Sequence, residues 1–406
     1  MNILFLHRNF PAQFKFIATE FAKNPNNNVV FVTNNDKTPV PKTIKKYTYK
    51  LKREIPKNCH RYLRFYEESV IHGQAAAETV LRLKQQGFKP DIIYGHAWGP
   101  TLFMKEIFPD IPLICYFEWY YNPVGTDVDF DGHILIEDEK AKLKSKNAYL
   151  LLDLVSCDAG ICPTQWQKSQ FPKEFQHKIK LLHDGVDTKL CKPDDEAEFI
   201  IKDKVFTKND EVITYATRGM EEYRGFPQFM KAVEKLQKSR QNLQVIIAGE
   251  DRVCYGKRLN KDTFKQKMLR ELDLDLDRIH FVGNLPYLEY IKLLQISSAH
   301  IYLTYPFVLS WSLLESMAIG CNIIASDTEP VKEVITDNFN GLLVEFFNVE
   351  ELAEKISYVL ENKEALEHLR ENARKIVLDK YDVKKLLPKH IEFISRVTQD
   401  YTLCID

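Results

Sequence analysis

Short apolar runs, nearly unbroken and bounded by polar turns, recur along this chain in two series. The first reads NILFL (2–6), NVVFVT (28–33), DIIYGH (91–96), PLICYF (112–117) and AGICPT (159–164). Runs apolar at every position suit strands buried on both faces, the habit of a parallel sheet covered by helices. Helical patterns such as FKFIATEFAK (14–23) and EESVIHGQAAAETVLRLKQQG (67–87) lie between several of them. A second series follows: EVITYAT (211–217), LQVIIAGED (243–251), RIHFVGN (278–284), HIYLTY (300–305), CNIIASD (321–327) and GLLVE (341–345). Between the series lies a polar stretch, 181–199, marked by Gly185 and Pro193. The pattern predicts an α/β chain of two Rossmann-like, doubly wound parallel-sheet domains. Their expected bounds are 1–193 and 194–382, with a hinge near Pro193. The amphipathic tail 383–406 is expected to be helical.

The stretch 300–327 carries the sharpest chemistry. It reads as a strand, a loop PFVLS (306–310), a helix opened by Ser310 and stopped by Gly320, and a second strand. The free N–H groups of such a helix start, here at 310–312, favour a phosphate. Glu315, one turn further in, stands where the ribose diol of a nucleotide would lie. These residues predict a nucleoside-diphosphate site.

The same stretch resembles the donor motif of glycosyltransferase family 4, the retaining nucleotide-sugar transferases of GT-B fold: LLESMAIGCNIIASD (313–327) follows the family's LEAMAxGxPVVAS run. The likeness implies two domains facing a central cleft, with the C-terminal helix packed back on the first. It implies ribose recognition by Glu315 and contacts from Val308, Leu309, Ser310, Trp311 and Ser312. Where the family places a sugar-binding glutamate, this chain has Phe307, in a loop about two residues shorter. The segment 214–236 resembles the motif whose two cations grip the diphosphate; here these are Arg218 and Arg224, followed by Gly225. Gly283, Asn284 and Leu285 resemble the turn that meets the base, and Glu250 a more loosely matched contact. In the first domain, His96 and Trp98 resemble acceptor-side residues. Glu118 falls where the family commonly has histidine, next to the cluster Trp119, Tyr120 and Tyr121. Ala12 stands where a glycine is usual.

What the resemblance implies for function is transfer of a sugar from a UDP- or GDP-sugar to a hydroxyl on a glycan, lipid-linked or protein acceptor. No metal and no further cofactor is expected, with Arg218, Arg224 and the 310–312 amides meeting the leaving-group charge and Glu118 and His96 near the reaction. Two other readings stay open: another GT-B enzyme, such as an epimerase or phosphorylase, or a transferase-like binding subunit without activity.

Composition narrows the rest. The formal net charge of −1 gives no reason to expect a nucleic-acid partner. Eight cysteines without CxxC spacing suggest reduced thiols and a cytoplasmic protein. No apolar run reaches the length that spans a bilayer. The segment 37–64 carries ten cations against Glu54 alone, which suits peripheral contact with an anionic membrane or an acidic acceptor. Asp127, Asp129, Asp131, Gly132, Ile134 and Asp138 match the spacing of an EF-hand loop, but no helix is expected before them.

Overall fold

The computed structural model describes residues 1–405, with side chains through Tyr401. The chain divides into two compact units, one of residues 1–185 with the segment from Val383 onward, the other Val186–Asp382. The division lies eight residues before the expected hinge at Pro193. The intervening residues pack into the second unit: the Val186 N–H bonds Tyr381 O at 2.8 Å, Thr188 Oγ1 donates to Asp382 Oδ2 at 3.0 Å, and Cys191 is fully buried in the core there.

The first unit holds a seven-stranded sheet of β1 (Asn2–His7), β2 (Asn28–Thr33), β3 (Ile44–Thr48), β4 (Ile92–His96), β5 (Leu113–Tyr116), β6 (Ala159–Cys162) and β7 (Ile179–Leu181). Its order is β3-β2-β1-β4-β5-β6-β7, every pair parallel. Two of these strands lie outside the apolar runs. β3 is an edge strand inside the basic segment, with only Ile44 buried, and β7 is three residues long. The helix Val383–Ile405 places Leu386, Phe393 and Ile394 in the same core as Phe14, Ile17 and Phe21. His390 Nε2 hydrogen-bonds His183 O at 3.0 Å and pins it further.

The second unit begins with a hairpin of β8 (Phe199–Ile201) and β9 (Lys204–Phe206), which no apolar run announces. Then come β10 (Val212–Gly219), β11 (Gln244–Glu250), β12 (Ile279–Gly283), β13 (Ala299–Tyr302), β14 (Ile323–Ser326) and β15 (Leu342–Val344). They form a parallel sheet in the order β12-β11-β10-β13-β14-β15. In both sheets the chain winds outward from a central strand, first one way and then the other. The strand order therefore reverses between β1 and β4 in the first unit and between β10 and β13 in the second. Connections diverge there and leave a crevice beyond the carboxyl ends of the strands, the usual ligand position in open α/β sheets.

Candidate functional site

At the switch point of the second unit, β10 ends in a bulge and the chain turns through Glu222–Arg224 into the helix Phe226–Ser239. Gly225 makes the turn with φ +66°, and a Cβ there would lie 2.5 Å from that of Leu303, so only glycine lets the chain pass β13 this closely. The Arg224 side chain is thereby held inside, 8% exposed. Its Nη1 donates to Thr304 Oγ1 at 2.7 Å and lies 3.5 Å from the Tyr302 hydroxyl, while its guanidinium stands 5.2 Å from the Tyr255 ring centroid. Among the described residues no carboxylate lies within ion-pair distance of it. A buried cation with only neutral partners keeps its charge available to an anion.

Tyr302 ties this arginine to the helix Trp311–Ile319, since its hydroxyl also accepts the Ser310 N–H at 2.9 Å. Ser310 caps the helix, its Oγ accepting the Ser312 N–H at 3.3 Å. At the other end, Gly320 at φ +80° closes a Schellman turn through Gly320 N→Met317 O and Cys321 N→Ser316 O, both 3.1 Å. Both ends lie where the sequence puts them. Two of the three amides at 310–312, those of Ser310 and Ser312, already bond inside the protein, so a phosphate would compete with Tyr302 and the cap. Val308 and Ser312 are half-buried, Leu309 belongs to the core and Trp311 is 42% exposed. Half-buried Glu315 accepts a 2.6 Å hydrogen bond from the Tyr287 hydroxyl.

Along the same edge, Gly283 ends β12 at φ +67° with open space around it. Asn284 next to it bonds Glu250 at the end of β11, and Glu250 also pairs with Arg252. Leu285 is half-buried against the core beside the hairpin. Arg218 sits exposed in the β10 bulge, close enough for its charge to act on the Cys254 thiol, whose pKa is raised chiefly by burial.

Two features here are invisible in the motif. Glu221, an obvious ion-pair partner for the neighbouring arginines, is fully buried and faces the backbone. Its Oε2 accepts the N–H groups of Cys254, Tyr255 and Gly256 at 3.1, 2.9 and 2.9 Å. That carboxylate anchors the loop that lays Tyr255 beside Arg224. Phe307, 8% exposed, packs its ring 5.2 Å from that of Tyr255 and 6.1 Å from that of Tyr223. Tyr305 stacks on Tyr223 at 4.7 Å and meets Phe346 at 5.0 Å. The loop 305–310 is thus set in an aromatic cluster. Its members, Tyr223, Tyr255, Tyr305, Phe307, Phe346 and Phe347, are scattered along the sequence and share no motif.

The switch point of the first unit gathers polar groups of another kind. His7 ends β1 and His96 ends β4, with ring centroids 4.7 Å apart and both rings almost fully buried. His7 Nδ1 accepts the Asn9 N–H at 2.8 Å, while among the described residues His7 Nε2 and both His96 nitrogens find no hydrogen-bond partner. Burial lowers the His7 pKa to about 4 and that of His96 well below the usual value. Glu118, just after β5, holds its Oε2 3.8 Å from His96 Nε2 and accepts Gln13 Nε2 at 3.0 Å. Trp98 covers His96 at 5.2 Å, and Arg8 donates to Trp98 O at 2.5 Å. His7, Arg8 and Gln13 were not singled out in the sequence, although all three stand at or just after β1. Ala12 adopts φ +46°, the backbone that the glycine usual in the family would take without strain. Trp119 is buried, while Tyr120 packs against the core and Tyr121 bonds Asn147.

The loop that matches EF-hand spacing spends its carboxylates otherwise. Asp129 accepts the Gly125 and Thr126 amides, Asp131 the His133 amide, and Asp138 bonds Arg61 and Tyr62.

Comparison with known proteins bears on both units. The description "Glycosyl transferase family 4 group" matches residues 25–191 and "Glycosyl transferases group 1" matches 196–376. A glycosyltransferase of Methanocaldococcus jannaschii without an assigned activity is 29% identical over 120 residues, 29% of this chain and 31% of that protein. The N,N'-diacetylbacillosaminyl-diphospho-undecaprenol alpha-1,3-N-acetylgalactosaminyltransferase of Campylobacter jejuni is 28% identical over 127 residues, 31% of this chain and 33% of that protein. These matches therefore span about a third of each curated relative. HepE of Anabaena, solved in complex with UDP-glucose, shares the fold at a TM-score of 0.70 and 15% identity, over 98% of this chain and 100% of that one. With two parallel-sheet units in the GT-B arrangement of strands, and family profiles that between them run from residue 25 to residue 376, the chain belongs to the group 1 glycosyltransferases of the family 4 type.

Proposed function

We propose that the protein transfers a sugar from a nucleoside-diphosphate sugar to a hydroxyl acceptor, with retention at the anomeric carbon and without a metal. The observation that carries this is Arg224, a buried guanidinium at the β10/β13 switch point with no acid against it. Its charge, the start of the helix Trp311–Ile319 and exposed Arg218 suit a diphosphate, and Glu315 suits a ribose. In the reaction the bond from the anomeric carbon to the diphosphate oxygen breaks and a bond to the acceptor oxygen forms. Negative charge grows on the departing diphosphate, where Arg224 stabilises it. The acceptor proton passes to a phosphate oxygen of the leaving group, so no protein base is required. The cluster of His7, His96 and Glu118, with ring nitrogens of both histidines open to a ligand, suits the acceptor hydroxyl and the sugar's reacting face. Neutral His7 presents an Nε2–H donor, and Glu118 an acceptor.

HepE was solved with UDP-glucose, and the Campylobacter relative is named for an undecaprenol-linked acceptor; these support a UDP-sugar donor and a glycan, lipid-linked or protein acceptor here. The test is a panel of nucleoside diphosphates and nucleotide sugars, read by thermal shift with a chelator present and then by release of free diphosphate. UDP or GDP should raise the melting temperature and AMP should not. Stabilisation only by AMP, or only after metal is added, would remove the reading.

A further inference from the structure

In the first unit, Ile134 and Ile136 are 85% and 60% exposed, and Val124 is 71% exposed. Leu63 and Phe65 are exposed as well, at 46% and 43%. Single exposed apolar side chains are ordinary on soluble proteins. Four of them, Leu63, Phe65, Ile134 and Ile136, fall around one junction. Arg61 and Tyr62 both bond Asp138, two residues beyond Ile136, and the Lys146 ammonium lies 4.3 Å from the Phe65 ring and 3.4 Å from that of Tyr121. Cations and acids both border the junction. Among the described residues of 37–64, Lys52, Arg53 and Arg61 turn to Glu78, Glu67 and Asp138, while Lys50, Lys57 and Arg64 are exposed, as are Lys142 and Lys144 beyond the junction. Of the acids nearby, Glu137 has Lys140 at 3.7 Å and Glu139 bonds His133, while Asp129 and exposed Asp131 accept amides of their own loop.

We propose that this face docks on an anionic lipid bilayer, Ile134, Ile136, Leu63 and Phe65 entering the headgroup boundary while Lys57, Arg64 and Lys142 meet the lipid charge. Apolar side chains beside a polybasic patch give the two weak signals whose sum makes a peripheral membrane contact. A soluble acidic polymer would engage the cations and leave the isoleucines in water, so the pairing of the two points to a bilayer. The inference stands apart from the sugar-transfer reading, because its readout is vesicle binding and not turnover.

The test is sedimentation of the full chain with phosphatidylcholine vesicles, with and without a minority of phosphatidylglycerol. The wild type should sediment only with the anionic vesicles and should be released by high salt. The double variant Ile134→Asp/Ile136→Asp, altered at exposed positions and checked for an unchanged melting temperature, should bind about tenfold more weakly. Lys57→Glu/Arg64→Glu should lose a similar factor. Wild-type protein left in solution with anionic vesicles would overturn the inference. So would an isoleucine double variant that binds as the wild type does, or binding to polyglutamate in preference to vesicles.

Discussion

Glu221 Oε2 accepts the backbone N–H of Tyr255 at 2.9 Å, across 34 residues of sequence, and so fixes the ring that stands beside Arg224. Arg224 is therefore positioned from two sides, by Thr304 and Tyr302 from the sheet and by an anchored loop above it.

Glu221→Ala removes the shared acceptor of three amides and should destabilise the second unit by about 3 kcal/mol, a charge-assisted bond being the strong kind. Glu221→Gln keeps an acceptor oxygen and should recover most of that loss. At temperatures where the alanine variant is folded, donor KM should rise more than kcat falls, since the loop and not the chemistry is disturbed. Equal melting temperatures for all three proteins would mean that the carboxylate does not hold the loop.

Arg224→Ala should leave donor affinity modestly reduced and lower turnover by roughly a hundred- to a thousandfold, the range for a group that meets transition-state charge. Glu315→Ala acts on ribose binding and should cost about 1.5–3 kcal/mol of donor affinity with a smaller effect on turnover. Kinetics on folded protein separate the two, and wild-type rates in both variants would displace the donor site from this switch point.

Phe307→Glu tests the departure from the family. The ring is packed against Tyr223 and Tyr255 with little exposure, so a carboxylate there has no partner and should cost about 3 kcal/mol or more. Activity on an ordinary hexose donor should not rise. A gain would show that the loop opens to admit a sugar-binding acid.

Burial holds His7 and His300 at pKa values of about 4, below the 6.5 of an unfolded chain. At neutral pH neither state is protonated and the shift costs nothing. As pH falls from about 6.5 towards 4 the unfolded chain takes up protons that the folded one refuses, so stability is lost across that window. His7 acts on the first unit and His300 on the second, and each should weaken its unit by an amount of order 3 kcal/mol at full titration. Denaturant unfolding at pH 7.5, 6 and 5 checks this, and flat stability would contradict the burial. Turnover limited by the second unit's cations should show no histidine ionisation near neutrality.

Much of this was legible in the chain. All six strands of the second sheet coincide with apolar runs, because strands buried on both faces leave an unbroken apolar signature. β3 escaped because this edge strand fully buries only Ile44, and Lys45 and Lys46 read as part of a charge run. The hinge came out late because Pro193 looks like a boundary, while the contacts that settle it, Val186 with Tyr381 and Thr188 with Asp382, join residues almost two hundred positions apart. At the site, Ser310 and Gly320 were readable as caps because capping is local chemistry. The role of Glu221 was not, since its partners lie more than thirty residues on and are backbone groups that any sequence would supply.

The return of the helix Val383–Ile405 to the first core sets an order on synthesis. The second unit is continuous in sequence, and all its strands have left the ribosome before the first unit receives Leu386, Phe393 and Ile394. The domain begun first is thus finished last. Until that helix arrives, the face of Phe14, Ile17 and Phe21 lacks its cover and is open to whatever apolar surface it meets.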